Sequence, residues 1–529
     1  MNKSTRTALL RISIMSAIIT DQLRILNASN FVAGVGTTTN NYYAFIGLPN
    51  PTELLSDWDT EPPAPIDSFD EENDIWDTMI ALKKIEGSDT RQIIRKISWS
   101  SGTTYEMYRH DYSRNNPSPI TGATNLYDSD FYVMNSDFRV YICLSNGVSP
   151  ENPDGRPSLD EPTFTDLEPR SAGSSGDGYV WKYLFTISPS EIVKFESSSY
   201  IPLPSDWFNN NSTEAIRENA ASSGQIKVVT ITDRGAGYGT ATSYSNVPVK
   251  GDGSGATATV TVNADGKIEA VDIEKGGSNY TFGTLDLDDV GLTNSISPAN
   301  FNVIIPPQGN HGSDIYRELG GNRVMLYARM DNDDTNPDFI TGNQFARVGV
   351  VKDPLAYDSV DILTQSRATA VGALKVTAQN IADINFAPDA VITQTIGLGS
   401  TAVGRVISWD STTGVIKYWQ DRTLGIAQTA GELPEFGNTL LRFQNSLTDD
   451  TNGDFAVDGG TATVAIDTAF SGITTTINNR TYNLGQTFEL GVSNPEVRKY
   501  TGDIIYVDNR PQVTRSVNQK EDIKVILEF

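Results

Sequence analysis

Gly224-Gln-Ile-Lys-Val-Val-Thr-Ile-Thr-Asp-Arg-Gly-Ala-Gly-Tyr238 returns 42 residues later as Gly266-Lys-Ile-Glu-Ala-Val-Asp-Ile-Glu-Lys-Gly-Gly-Ser-Asn-Tyr280. Gly224, Ile226, Val229, Ile231, Gly235 and Tyr238 match Gly266, Ile268, Val271, Ile273, Gly277 and Tyr280. Each copy reads as a strand followed by a Gly-rich turn that carries a tyrosine. Two copies are too few for a solenoid and point to a compact β-sandwich or a pseudo-symmetric β-unit. Between them, Gly251-Asp-Gly-Ser-Gly255 is a turn that feeds the alternating run 256–262.

Outward from this repeat the pattern stays rich in strands. Downstream, a second β-unit spans 371–480, with strands at 403–409 and 415–419 joined by the five-residue loop Asp410-Ser-Thr-Thr-Gly414. Strands are also expected at 323–330, 345–351, 503–507 and 523–529, with a short helix at 315–319. Upstream, runs at 105–108, 131–134, 138–144 and 179–187 alternate with polar turns, and the polar segment 145–178 is too long for a hairpin loop. From Tyr42 the run Tyr-Tyr-Ala-Phe-Ile-Gly reads as a strand, Glu61-Pro-Pro-Ala-Pro65 as an extended surface connection, and 74–82 as a helix. At the start, Leu9, Ile12, Met15, Ile18, Ile19, Leu23 and Leu26 recur at spacings of three and four, which predicts a helix ending near Asn27 with that stripe in the core.

The fold expected is α+β and β-rich: an N-terminal mixed α/β domain, antiparallel β-sandwich domains and two inserted small β-modules. At roughly 100–200 residues per domain, 529 residues allow three or four units. Net charge is −26, so the average surface repels phosphate backbones and anionic lipid headgroups. Nucleic acid and membrane are therefore not expected as partners, and no run approaches the roughly 18 apolar residues of a membrane span. Cys143 is the only cysteine, which excludes an intrachain disulfide and a Cys-rich zinc site; its apolar surroundings suit a buried, inert thiol. Arg11 interrupts the apolar stretch after Lys3 and Arg6, so the N-terminus is not read as a signal peptide.

Catalytic materials are sparse. His110 and His311 are the only histidines, no metal-binding His spacing or Gly-x-Ser-x-Gly turn occurs, and His311 between Asn310 and Gly312 reads as a turn residue. The clusters 331–334 and 449–454 offer oxygen ligands to a hard cation, but from Asp450 the sixth position is Phe455 and the twelfth Thr461, so neither continues as an EF-hand loop. Gly34-Val-Gly36 and Gly251–Gly255 lack the Gly-Lys-Ser/Thr ending of a phosphate cradle. No enzyme activity, cofactor or metal is expected. A paired-carboxylate glycosidase is the sharper enzyme alternative, but among 66 acidic residues the proximity of one pair means little.

Tyr179, Trp181 and Tyr183 alternate at period two and so share one strand face. They are either core or a subunit contact, where Tyr and Trp are enriched. Asn509-Arg510-Pro511 reads as a turn in which Arg510 pairs with a carboxylate, locally or across a subunit boundary.

Three stretches resemble the baseplate wedge family of T-even-type contractile-tailed bacteriophages whose members are dimeric. They are Gly176-Asp-Gly-Tyr-Val-Trp-Lys-Tyr-Leu-Phe-Thr-Ile187; Gly502-Asp-Ile-Ile-Tyr-Val-Asp-Asn-Arg-Pro511 with Gln519-Lys-Glu-Asp-Ile-Lys-Val-Ile-Leu-Glu-Phe529; and, more weakly, Glu61–Ser68 with Asp74-Ile-Trp76 and Val140-Tyr-Ile-Cys-Leu144. Their order along the chain agrees with the family. The resemblance divides the chain into wedge core at 1–218, 301–368 and 481–529, interrupted by inserted β-modules at 222–300 and 371–480. It implies a structural subunit of the virion's tail baseplate, assembled in the host cytoplasm, that forms a homodimer and binds neighbouring wedge subunits, with no cofactor or reaction. The alternative is a tail adhesin that binds host-surface glycan through the inserted modules.

Overall fold

The computed structural model describes residues 18–37, 39–49, 58, 60–209, 211–220, 223–239, 242–331, 344–377, 386–396, 401–420, 442–444, 455–457, 463–514 and 520–529. It is β-rich: of the described residues 42% are in strands, arranged in several antiparallel sheets, and 12% in helices. The chain divides into two compact units: Met1–Val32, Arg91–Met325 and Ile526–Phe529 form the first, Ala33–Thr90 and Leu326–Val525 the second. Residues 222–300 fall within the first unit and 371–480 within the second.

In the first unit, Tyr132–Met134, Arg139–Asn146 and Tyr179–Thr186 form an antiparallel sheet. Both faces of its middle strand are covered, because Val140 through Leu144 are all buried in one aromatic-rich core with Phe131, Tyr132, Trp181 and Trp207. Cys143 lies there, and burial pushes its thiol up out of the reactive range. The run 105–108 is buried but is not a strand: Tyr105 and Tyr108 pack into this core, and the backbone N–H of Tyr105 donates to the Tyr179 hydroxyl at 2.9 Å instead of to a ladder.

The two repeat copies exchange hydrogen bonds. The Ile226 N–H donates to the Gly276 carbonyl (2.9 Å), and its counterpart Ile268 donates to Arg234, the residue matching Gly276 (3.0 Å). Tyr238 N–H donates to Gly266 O (3.0 Å), and Tyr280 N–H to Gly224 O (3.4 Å). The copies thus form a pseudo-symmetric pair around one core that holds Ile226, Ile268, Tyr238 and Tyr280. Gly224 and Gly266 have φ of 72° and 69°. A Cβ on Gly224 would stand 2.4 Å from Tyr280 N, so the repeat's leading glycine is required by the approach of the other copy as well as by its backbone. Both tyrosine hydroxyls end on backbone: Tyr238 accepts from Ala299 N–H (2.6 Å), and Tyr280 donates to Val249 O (2.9 Å).

In the second unit, a sheet in the order Arg367–Thr369, Met79–Ile85, Tyr42–Gly47, Gln344–Lys352, Asp503–Thr514 is antiparallel throughout. The helix expected at 74–82 is instead Phe69–Thr78, capped by the Ser68 hydroxyl accepting from Glu71 N–H, and Met79–Ile85 is a strand. The apolar run misled because a fully buried strand carries no helix-breaking signal at its start. Gly372–Lys375, Val391–Thr395, Thr401–Asp410, Val415–Trp419, Phe455–Val457, Thr463–Val464 and Val492–Ser493 share another sheet. The expected loop closes the hairpin: Gly414 N–H donates to Asp410 O (2.8 Å) with φ of 68°, and the Asp410 carboxylate accepts from Thr412 N–H and the Thr413 hydroxyl.

Within this sheet Lys417 is buried, and its Nζ donates to Leu484 O at 3.2 Å. Burial pushes the ammonium down to about 7. The unfolded chain, with a pKa of about 10.4, therefore binds a proton that the folded chain does not hold between pH 7 and 10, and stability rises with pH across that window. Lys417→Met should melt higher than the parent at pH 6–7, with the difference shrinking toward pH 10; thermal unfolding at several pH values checks this. A constant difference would place the ammonium in a solvated site.

The N-terminal helix is described as Asp21–Val35 and continues past Asn27. Its stripe faces the other way from the expectation: Ile18, Ile19, Leu23 and Leu26 are exposed, Leu23 and Leu26 by 45% and 54%, whereas Ile25, Ala28 and Val35 are buried. The polar tethers explain the choice. Asp21 accepts from Asn125 Nδ2 (2.7 Å), and Gln22 donates to the Tyr127 hydroxyl (3.4 Å). Leu9, Ile12 and Met15 lie outside the described residues, as do 332–334 and 449–454 of the acidic clusters.

Candidate functional site

The Gly176–Ile187 motif builds the strand Tyr179–Thr186. Tyr179 and Trp181 are buried and stacked, with ring centroids 5.2 Å apart and 17° between planes. The Tyr179 hydroxyl donates to Arg156 O (2.7 Å), and Tyr105 meets the Trp181 ring edge-on. These two residues are core and have no surface to offer a partner. Tyr183 is half-buried and bonds the Thr186 hydroxyl at 2.8 Å, so of the three it alone reaches solvent. The other face is not polar either: Leu184 is buried, and Lys182 is buried with its Nζ donating to Leu167 O (2.8 Å) and Asn219 Oδ1 (3.1 Å). Burial pushes that ammonium down to about 8.

Near Lys182 in the same unit lies a pair that the sequence did not announce. His311 is in a turn, as expected, but it is buried, with Nδ1 2.6 Å from Glu318 Oε1. Glu318 Oε2 accepts from Gly312 N–H at 2.7 Å, and the Tyr108 ring stands edge-on to the imidazole at 4.7 Å. The helix Ile315–Glu318, capped by Asp314, brings the carboxylate back over the turn seven residues later. His110 Nδ1 accepts from Ile305 N–H (3.3 Å), and burial lowers its pKa. Both histidines therefore hold local backbone or a carboxylate in place.

Asn509-Arg510-Pro511 is not a turn. It lies inside the strand Asp503–Thr514, at the edge of its sheet among the described residues. Asn509 is buried, where its Oδ1 accepts from Arg347 Nε (2.9 Å) and its Nδ2 donates to Pro63 O (3.0 Å). Arg347 is fully buried. It also donates to Thr78 Oγ1 (2.8 Å) and Glu71 Oε1 (3.3 Å), with its guanidinium 5.4 Å from the centre of the Trp58 ring. The composition of the triplet reads as a turn because Pro511 cannot donate to a ladder, but an edge strand tolerates this. Opposite it the register slips: Arg347 pairs with Asn509 while Phe345 pairs with Val513, leaving residues 510–512 bulged. Arg510 is exposed and pairs locally, its Nε 2.6 Å from Asp508 Oδ2. Its carbonyl accepts from Trp58 Nε1 (2.9 Å). Bulge, proline and charge together blunt this edge against strand addition.

Among the described residues no group of three or more His, Cys, Asp or Glu is placed to hold a metal ion. No helix among the described residues is long and apolar enough to cross a membrane. No family model matches the chain, and no characterised protein matches it.

Proposed function

We propose that the chain is a structural subunit of the baseplate wedge of a contractile-tailed phage, docking onto neighbouring wedge subunits as a homodimer. The wedge assignment rests on the sequence resemblance over 176–187, 502–511 and 519–529. The observation that carries an assembly role is a group of exposed apolar residues: Leu23 and Leu26 on the helix Asp21–Val35 are about half exposed, and Ile18 and Ile19 just before it are exposed. Exposed apolar side chains grouped in this way cost solubility and fit a surface kept for a partner. The resembling residues support the same reading. Tyr179, Trp181 and Asn509 are spent on packing and on holding Arg347, which is what a rigid frame needs and a reacting site does not.

Depleting the chain during infection separates this role from the adhesin alternative. Loss of completed baseplates, with tails absent or arrested, is expected; complete particles that fail only to adsorb would favour the adhesin. In isolation the chain should sediment as a homodimer at micromolar concentration, as closed two-fold assemblies commonly do. A monomer across that range would contradict the dimer.

A further inference from the structure

A cleft of about 660 Å³ opens in the second unit, within the size range that holds a small ligand. Aromatic side chains form much of its lining, Tyr357, Trp419 and Tyr500 among them. Tyr500 is 40% exposed and has a φ of 60°, a left-handed conformation that a bulky residue adopts only where its surroundings hold it. Two bonds to Asp77 do so: the Tyr500 hydroxyl donates to its carboxylate, and the neighbouring Lys499 Nζ donates to its carbonyl at 2.9 Å. The chain therefore maintains a strained tyrosine with its ring partly in solvent at the cleft.

The polar lining is equally specific. Arg442 lies 4.5 Å from the centre of the Tyr357 ring and forks onto the Asp358 carboxylate at 2.9 and 3.0 Å, which holds Asp358 below the usual carboxylate range. Among the described residues the enclosed Tyr357 hydroxyl and Trp419 Nε1 have no hydrogen-bond partner, two such polar atoms on residues of one cleft. Arg442 is matched by Asp358 and Lys499 lies against Asp77, which leaves the exposed Arg498 as a surplus cation at the cleft of a chain whose net charge is −26. This local surplus runs against the charge of the whole molecule and favours an anionic guest.

We infer that this cleft binds a saccharide of one or two rings that carries a carboxylate. The apolar C–H face of a sugar ring packs on an exposed aromatic ring such as Tyr500. Its hydroxyls both donate and accept, as Asp358 and the arginines require, and the carboxylate is met by Arg498. This binding is independent of the wedge assignment, since a baseplate subunit can contain such a cleft and its loss need not stop assembly.

Calorimetric titration of the full chain tests the inference with glucuronate, galacturonate and N-acetylneuraminate, with neutral glucose and galactose, and with inorganic phosphate. At least one acidic sugar should bind with a Kd below about 10 mM, and the neutral sugars at least about tenfold more weakly. Arg498→Gln removes the exposed cation. Tyr500→Gly removes the ring, and with it the hydroxyl bond to Asp77, at a backbone angle that glycine accepts freely. Each should weaken binding about tenfold or more at a temperature below the variant's own melting transition. The inference is overturned if no acidic sugar binds, if neutral sugars bind equally, if phosphate competes at the same concentration, or if both variants bind like the parent.

Discussion

Truncation after Lys520 should leave a chain that does not unfold cooperatively. The strand Glu521–Glu528 lies beside Arg323–Met330, in which Val324, Met325, Leu326 and Met330 are buried. Period two turns Ile523 and Val525 inward as buried residues, while Leu527 and Phe529 are half-buried. Two full burials contribute about 1.5–3 kcal/mol each, and two partial ones add to that, against a total domain stability of about 5–15 kcal/mol. The strand is also tied at both ends. Asp522 accepts a fork from Arg329 at 2.6 and 2.8 Å and the Tyr327 hydroxyl at 2.9 Å. Phe529 N–H donates to Asn322 O (3.1 Å), and its ring sits 5.5 Å from that of Phe31. Removing the strand strips one edge from Arg323–Met330 and exposes its backbone. Thermal unfolding followed by circular dichroism checks this; a protease fragment that has lost 521–529 and still melts like the intact chain would refute it.

Asn509→Leu should cost about 1–3 kcal/mol, the range for leaving a buried donor without its acceptor. Arg347 would remain fully buried with Thr78 and Glu71 but without its Nε acceptor, and the tie to Pro63 would be lost. Arg347→Met in the same chain should recover part of the loss, because it removes the Nε donor that Asn509 satisfied and keeps the volume. The two changes should therefore be strongly non-additive, and denaturant unfolding of the four chains in the cycle measures the coupling. Additive losses would mean that Asn509 acts through packing alone.

Much of the strand framework was legible. The repeat was readable because its glycines take positive φ and its backbone joins the exchange between copies, although in the second copy Gly276 and Gly277 lie inside the strand Ile268–Ser278 where a turn was expected. The strands Arg323–Met330 and Val415–Trp419 were bounded by turn residues that leave little choice. The N-terminal helix shows the limit. Periodicity found its apolar stripe but could not say which side packs, since Asp21 and Gln22 anchor the opposite side through residues more than a hundred positions away. Asn509 was misplaced for a related reason: a turn-like triplet becomes an edge strand once Arg347 supplies a buried donor. His311 and Glu318 gave only the weak signal of a histidine seven residues before an acid, and no spacing rule turns that into a buried pair.

If the chain is the baseplate wedge subunit proposed above, its position in a map of the particle that contains it is the most direct measurement. Density for it should then lie in the tail baseplate, as paired copies in contact with neighbouring subunits at Leu23 and Leu26 of the helix Asp21–Val35. Density at the tip of a fibre, with no neighbour on that helix, would overturn the wedge proposal.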